Sequence, residues 1–425
     1  MGMYGILLHQ TQWQESVRSQ GFSKAGANLD FIIISKSAGR RIRPMPNAIQ
    51  IHQVRTRKDL NAFIRFPWKV YRGDRNWVPP LISERLDRLN PDKNPFFDRA
   101  KVEYYMARRG REILGTIAAF IDHRSNERLG TNLGGFGFFE VIKEYEVAQV
   151  LLDTVVSKMR EWDVDGFWGP TNFGRNDEPG FLIKETDMPP ALLEAHTPLY
   201  YGEFAERYGM RKKQDFYAWR VSLPDLGTNL EKLPEQLIRV FDATERRGGV
   251  NVRKVRMDDW DRELEIARYL FNTTLTHLPD HVPMDKETWG RFANQMRTFL
   301  DPDLALIAEV DDKPVGFLVC FPDINRVLIH LNGRMFPFGW LKMLWYSRKI
   351  DVVSFKLFGL LEEYRRRGID VLLYLRAVRE AAAKGYRWLD GSLTSEFNPT
   401  VVRLAERLGA ERYKHYRLYE MIFED

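Results

Sequence analysis

The apolar positions change period along the chain, and the changes mark the elements. EYYMARR at Glu103–Arg109 and EILGTIAAFID at Glu112–Asp122 flank Gly110–Arg111 and predict a β-hairpin. From Glu146 to Trp162 the period lengthens: Val147, Ala148, Leu151, Leu152, Val155 and Met159 fall on one helical face. GFWGPT then reads as a short buried strand, and FYAWRV as the strand that closes this set. A second set follows in the same order: ALIAEV, KPVGFLVCF, a strand over Val352–Gly359, a helix from Asp370, RWLDGS, a helix over Val401–Leu408 and YRLYEMIF. Gly209 and Gly409 stand where the helices before them want a left-handed terminator.

The two sets align with each other. IQIHQVRTRKDL from Ile49 resembles VNVRKVRMDDWD from Val250, an offset of 201, and LGTIAAFID at Leu114 resembles VGFLVCFPD at Val315 at the same offset of 201. VLLDTVV from Val150 recurs as VLLYLRAV from Val371, and FAERYG from Phe204 as LAERLG from Leu404. Four matches in one order argue for two copies of one fold. The fold class is mixed α/β (α+β, with a central mixed sheet), duplicated in tandem. The divisions read from the pattern are a basic extension over 1–47, a first copy over 48–226, a linker helix within 227–249 and a second copy over 250–425. EQLIRVFDATERR, opened by Pro234 and ended by Gly248–Gly249, supplies the linker. The second copy carries extra residues around Arg334–Lys349, the first in the stretch GPTNFGRNDEPGFLIKETDMPP.

Composition narrows the function. With 425 residues, 44% hydrophobic and 29% charged, the chain reads as a soluble globular protein. One cysteine, Cys320, excludes a disulfide framework and fits a reducing cytoplasm. The net charge of +6 suggests nucleic acid until it is located: residues 1–47 carry +4, and the body lacks the clustered excess that a phosphate-binding groove needs. No apolar run approaches the ~20 residues of a membrane span. The aromatic stretch Phe336–Tyr346 is read first as core, with an acyl-chain tunnel or a peripheral membrane contact as the other readings.

The sharpest chemistry is FGLLEEYRRRGID at Phe358–Asp370. A strand enters an Arg-rich turn that opens a helix, so backbone N–H groups near Gly368, with Arg365, Arg366 and Arg367 as counter-charge, can cradle a pyrophosphate. A solvated charged loop is the plainer reading. His277 and His281 have metal-like spacing, but Pro279 spoils the helix and no third ligand is evident, so no metal is expected. Asp122–His123 reads as a turn after a strand.

Arg365-x-x-Gly368 resembles the acyl-CoA pyrophosphate loop of the GNAT acyltransferases, whose order of elements matches both copies. The first copy has GGFGFFEVIKEYE at the equivalent place, which implies a copy that shapes the acceptor site and does not bind CoA. FIRFPWKVYRGDRNWVPPL, NPFFDRAKVEYYMARR, GPTNF and FPDINRVL resemble the bacterial ceramide-synthase-like branch of tandem GNAT proteins. That resemblance implies an N-acyltransferase in which an amine, for the namesake a sphingoid base, attacks an acyl-CoA thioester. It places CoA along Gly359, Leu360, Leu361, Arg365, Arg366, Arg367, Gly368, Ile369 and Asp370, with the oxyanion N–H within Gly359–Leu361. It offers Glu396 and Asn398 as the acid/base element, against a helix-capping role for both, with Asp390 and His330 behind them. Ala405 stands where the family's acidic Tyr falls, so Tyr416 is taken as that acid, with Tyr413 and Tyr419 as substitutes. Asn172, Asn325 and His330 are taken as substrate contacts, with buried-turn roles open for the two Asn residues. Asp370 departs from the family's small residue and is read as a clash with phosphate or as a helix cap. A non-catalytic CoA sensor or partner-binding protein, and a Fem-like aminoacyl-tRNA-dependent transferase, are the alternatives.

Overall fold

A computed structural model describes residues 48–174, 177–185, 187–227, 231–276, 281–391 and 393–424. The expected basic extension and His277 lie outside these residues. The strands are β1 (Ile49–Gln53), β2 (Ala100–Arg109), β3 (Glu112–Asp122), β4 (Leu133–Val141), β5 (Gly166–Gly169), β6 (Phe181–Glu185) and β7 (Arg211–Ser222). The second set is β8 (Asn251–Lys254), β9 (Ala305–Val310), β10 (Lys313–Pro322), β11 (Val352–Leu360), β12 (Trp388–Asp390), β13 (Thr394–Ser395) and β14 (Glu411–Ile422).

All fourteen belong to one sheet, ordered β1-β2-β3-β4-β5-β14-β7-β12-β11-β10-β9-β8, with β6 beside β14 and β13 beside β7. The two ends of this order are the same fold run from opposite edges: β1 to β5 match β8 to β12 element by element. The closing strands are exchanged. β14, last in the second copy, pairs with β5 and β6 of the first. β7, last in the first copy, pairs with β12 and β13 of the second. FYAWRV therefore does not close its own copy, as the order of elements suggested; it closes the other one. β7 and β14 then run antiparallel from Arg220 opposite Glu411 to Arg211 opposite Glu420 and join the halves.

Each copy packs one long helix on its sheet. Helix Tyr145–Glu161 buries Val147, Ala148, Leu151, Leu152, Val155 and Met159, the face that the spacing predicts. It packs with Ile117, Phe136 and Phe167. Helix Ile369–Ala383 buries Leu372, Leu373, Leu375 and Val378 against Ile307, Phe317 and Leu318. Each large apolar side chain buried on these faces contributes about 1.5–3 kcal/mol. Helix Glu235–Arg247 forms where the linker is expected.

Between β10 and β11 the second copy has two helices, Asn325–Leu331 and Gly339–Ser347, where the first copy has one, His123–Leu129, between β3 and β4; the extra residues form the second of the two. The expectation that the Phe336–Tyr346 stretch is core is overturned. Phe336, Phe338, Trp340, Leu341, Leu344 and Trp345 are all exposed, Phe338 at 67% and Trp345 at 61%. Among the described residues no helix is long and apolar enough to cross a membrane.

Candidate active site

The site begins where β11 leaves β12. The strands pair in parallel only at Val352–Trp388, Val353–Leu389 and Ser354–Asp390. Beyond Ser354 β11 continues beside β10 alone, and its register there skips Lys356, which bulges between Phe355 and Leu357. Phe355, Lys356, Leu357 and Phe358 are only partly covered, although they lie mid-sheet. A splayed parallel pair of this kind presents one strand's backbone to a ligand that lies between the strands.

At the far end of β11 the chain makes the Arg-rich turn. Arg366 (φ 61°) and Gly368 (φ 82°) are both left-handed, and Gly368 opens the helix Ile369–Ala383 with no side chain capping it. The first amides of that helix have no intrahelical acceptor and face the turn. Gly368 is required twice over, because a Cβ there would lie 2.2 Å from Thr244 Oγ1 of the linker helix. Asp370 stands in the first turn and caps nothing, so the capping alternative for it fails. Arg365 does not project as counter-charge. Its guanidinium donates to the carbonyls of Thr274 (3.0 Å) and Leu360 (3.3 Å), tying the turn to helix Trp260–Thr274. Arg366 and Arg367 are exposed, and Arg367 lies over the Tyr364 ring.

Beside the splay lies a buried polar network built from both copies. Asp390 Oδ2 accepts from Ser354 Oγ at 2.7 Å and Lys356 Nζ at 3.2 Å. The Tyr413 hydroxyl is 3.1 Å from Asp390 Oδ1 and 3.1 Å from each oxygen of Glu194. Tyr416, fully buried, donates to Glu194 at 3.4 Å. Glu194 also accepts from the Ala191 amide at 2.9 Å. Burial, then the neighbouring carboxylates, push both phenols well above their ordinary range. Asp323, at the end of β10, is pushed up to about 7 by burial, with Asp390 and Glu194 adding and Arg326 and Lys356 opposing.

The same place in the first copy is closed. β4 and β5 also part after three pairs, at Gly135–Trp168. There the chain after β5 turns back into the gap: the Thr171 amide donates to the Phe136 carbonyl at 3.0 Å, and Asn172 Oδ1 accepts from the Phe138 amide at 2.9 Å. A Cβ on Gly137 would lie 1.8 Å from the Thr171 carbonyl oxygen, so only glycine admits this plug.

The structure thus brings Tyr416, Tyr413 and Asp390 together and places the other expected residues elsewhere. Asn172 holds the plug and also bonds Glu178. Asn325 is spent on the carbonyls of Pro190 (3.1 Å) and Ala191 (2.9 Å). Asn398 caps the helix Pro399–Arg407. Glu396 accepts from Lys212 Nζ at 2.7 Å and the Asp215 amide at 2.8 Å. His330 stacks on Tyr346 at 3.7 Å, lining a cavity of about 360 Å³ with Arg326, Ile329 and Lys349. Tyr419 reaches Glu206 at 3.0 Å. Asp122 caps the helix His123–Leu129. Glu194, Lys356 and Asp323 escaped the sequence reading. Lys356 and Asp323 had a signal, a lone charge inside or ending an apolar strand; Glu194 sits in an irregular segment with none.

A duplicated sheet, splayed in both copies, with one opening free and the other plugged, is a tandem GNAT fold. A tandem GNAT protein of clavulanic acid biosynthesis shares this fold at a TM-score of 0.53 and 10% identity, over 89% of this chain and 100% of that one. YghO of Escherichia coli K12 is 33% identical over 372 residues, 86% of this chain and 93% of that protein. The bacterial ceramide synthase of Caulobacter vibrioides is 30% identical over 382 residues, 88% of this chain and 97% of that protein. The chain belongs to the family of these two proteins, the bacterial ceramide-synthase-like acyltransferases. No protein-family model matches it.

Proposed function

We propose that the protein is an acyl-CoA-dependent N-acyltransferase that acylates a lipid-like amine of the sphingoid type. One observation carries the reading: of two duplicated strand openings, the first is plugged by its own chain, while the second stays part-covered and leads to a glycine-opened helix N-terminus. In this reading residues 250–425 bind the donor, 48–226 shape the acceptor side, and 227–249 brace the turn through Thr244. The Caulobacter relative's name supports the choice of amine.

The pyrophosphate lies on the amides from Arg366 to Asp370, with Arg366 and Arg367 beside it, and the pantetheine follows β11 to the bulge. A backbone N–H within Gly359–Leu361 takes the oxyanion. The amine nitrogen attacks the thioester carbon, the C–S bond breaks, and CoA leaves as thiolate, which then takes a proton. A neutral amine must be delivered, so its proton goes to the Asp390–Tyr413–Glu194 network. The Tyr413 hydroxyl has one proton and faces two carboxyl groups. It passes charge between them without leaving either unpaired. The protein acts in the cytoplasm, in peripheral contact with a membrane that supplies its substrates.

The test is product formation. The purified protein is mixed with palmitoyl-CoA and either a sphingoid base or a short polar amine, and the amide is measured by mass spectrometry. Amide from the sphingoid base supports the reading. CoA binding without amide from any amine favours the non-catalytic sensor, and absence of CoA binding overturns both.

A further inference from the structure

We propose that the helical insertion between β10 and β11 is a docking surface for an anionic phospholipid bilayer. This deepens the proposed peripheral contact by assigning its residues and the charge of the lipid. Between β3 and β4 the first copy has only the helix His123–Leu129, so the duplicated fold does not need helix Gly339–Ser347 or the turn before it.

Three observations converge on a lipid surface as the occupant. First, the helix Gly339–Ser347 touches the body along one narrow line, with Gly339 buried and Met343 and Tyr346 partly covered. Met343 and Tyr346 pack on the small cluster of Phe321, Ile324 and Val327. Second, what it presents outward is Trp340, Leu341, Leu344 and Trp345, and the turn before it adds Phe336 and Phe338. Six large apolar side chains exposed within one short segment exceed the scattered exposure that a soluble surface carries. Third, the chain has no acidic residue between Asp323 and Asp351, but it has Arg326, Arg334, Lys342, Arg348 and Lys349. Arg334, Lys342, Arg348 and Lys349 are exposed.

Aromatic rings interleaved with cations and free of acids match an interface that is apolar below and negative above. A protein partner is a poorer fit, because lysine is depleted from the cores of protein interfaces. The helix is nine residues long, too short to span, so its apolar side chains enter the headgroup and acyl boundary while the cations stay at the phosphates. The insertion also carries function inward. Helix Asn325–Leu331 precedes it directly, and Asn325 of that helix holds the Pro190 and Ala191 carbonyls, three residues from Glu194. A substrate dissolved in the bilayer is thereby presented beside the polar network.

The experiment is co-sedimentation of the full chain with vesicles of phosphatidylcholine alone or with phosphatidylglycerol. Three proteins are compared: wild type, Phe338→Ala/Trp340→Ala/Trp345→Ala, and Arg334→Glu/Arg348→Glu. All five side chains are exposed, so melting temperatures should match wild type. The expected result is binding to the phosphatidylglycerol vesicles that weakens with salt and falls by about tenfold or more in each variant. Acylation of a detergent-dispersed amine is measured in parallel and should be unchanged in both variants. Loss of that activity in the wild type too would sink the acyltransfer reading and leave the docking result standing. Binding to neither vesicle, or undiminished binding by both variants, overturns the docking proposal. So does a self-association in solution that the aromatic variant abolishes, which would make a second copy the occupant.

Discussion

The Glu194 carboxylate of the first copy and the Tyr413 hydroxyl of the last strand lie 3.1 Å apart, and neither copy could form that contact alone. Exchange of the closing strands is what brings them together, because β14 carries Tyr413 into the first copy's half of the sheet. The buried polar network is a product of the duplication. Removing Glu194 as Glu194→Ala takes the Glu194 acceptor from the buried Tyr416 hydroxyl and leaves Tyr413 with Asp390, at a cost of about 1–3 kcal/mol. Glu194→Gln keeps an acceptor and should restore most of that stability. If Glu194 receives the amine's proton through Tyr413, Glu194→Gln should still lower kcat and shift its pH profile. A normal profile in a stable Glu194→Gln protein would assign it a structural role only.

The strand exchange also predicts how the chain fails when cut. Residues 48–226 without β14 expose the open edge of β5, and residues 250–425 without β7 expose that of β12. Unpaired edges of this kind aggregate. Each half expressed alone should be insoluble or lack a cooperative melt, whereas the two co-expressed should assemble. A well-folded, monomeric single half by circular dichroism and light scattering would show that the exchange is dispensable.

The Arg-rich turn, the proposed seat of CoA, should separate stability from binding. Gly368→Ala combines a left-handed backbone, about 1–2 kcal/mol, with a Cβ pressed on Thr244, about 1–3 kcal/mol more. It should lower the melting temperature markedly, and Thr244→Ala should recover part of the loss. Arg366→Ala/Arg367→Ala touches only exposed side chains and should melt like wild type while weakening CoA in a salt-dependent way. A thermal-shift titration with CoA measures both, and a Gly368→Ala protein as stable as wild type would contradict the packing.

Local order was legible in the chain to the extent that its cause was local. The helix face from Val147 to Met159 was readable because one period specifies one buried side. So was the Gly368 turn, as a strand, a charged bend and a helix in succession. The strand exchange was not, since FYAWRV and YRLYEMIF both read as closing strands and periodicity does not say which copy each closes. The aromatic insertion misled for a related reason: hydropathy reports what a side chain prefers, and Trp345 is held outside by the short line of contact its helix makes. Asn172, Asn325 and Asn398 all appeared as candidates because capping and catalysis draw on the same polar residues. Only the partners found here, a Phe138 amide, two carbonyls and a helix N-terminus, tell the two uses apart.

The plug in the first copy predicts a variant that is harmful to fold and silent in donor binding. Asn172→Ala removes the acceptor of the Phe138 amide and one partner of Glu178. An amide left without its acceptor costs about 1–3 kcal/mol, read as a lower denaturation midpoint. The KM for acyl-CoA should not move, because the proposed donor site lies along β11. A raised KM for the donor with unchanged stability would mean that the first opening takes part in binding CoA.

The last prediction concerns pH. Asp323 is buried, and its carboxyl is raised from 3.8 to about 7 in the folded protein. A raised folded value means that the folded state holds the proton more tightly than the unfolded chain. Asp323 therefore favours the fold fully below pH ~4, progressively less as the pH rises, and imposes its whole burial penalty above about 7. Arg326 at 3.0 Å, together with Lys356, limits the penalty without cancelling it. Asp323→Asn removes the titration and can still accept the Asn325 amide, which now donates to Asp323 Oδ1 at 3.2 Å. The difference in melting temperature between this variant and wild type should move in the variant's favour from pH 4 to pH 7 and then level off. The slope is the diagnostic, since loss of the Arg326 pairing shifts the curve as a whole and not its direction. A difference that is flat across that range would show that Asp323 stays ionised in the fold, held by Arg326 and Lys356 against its burial.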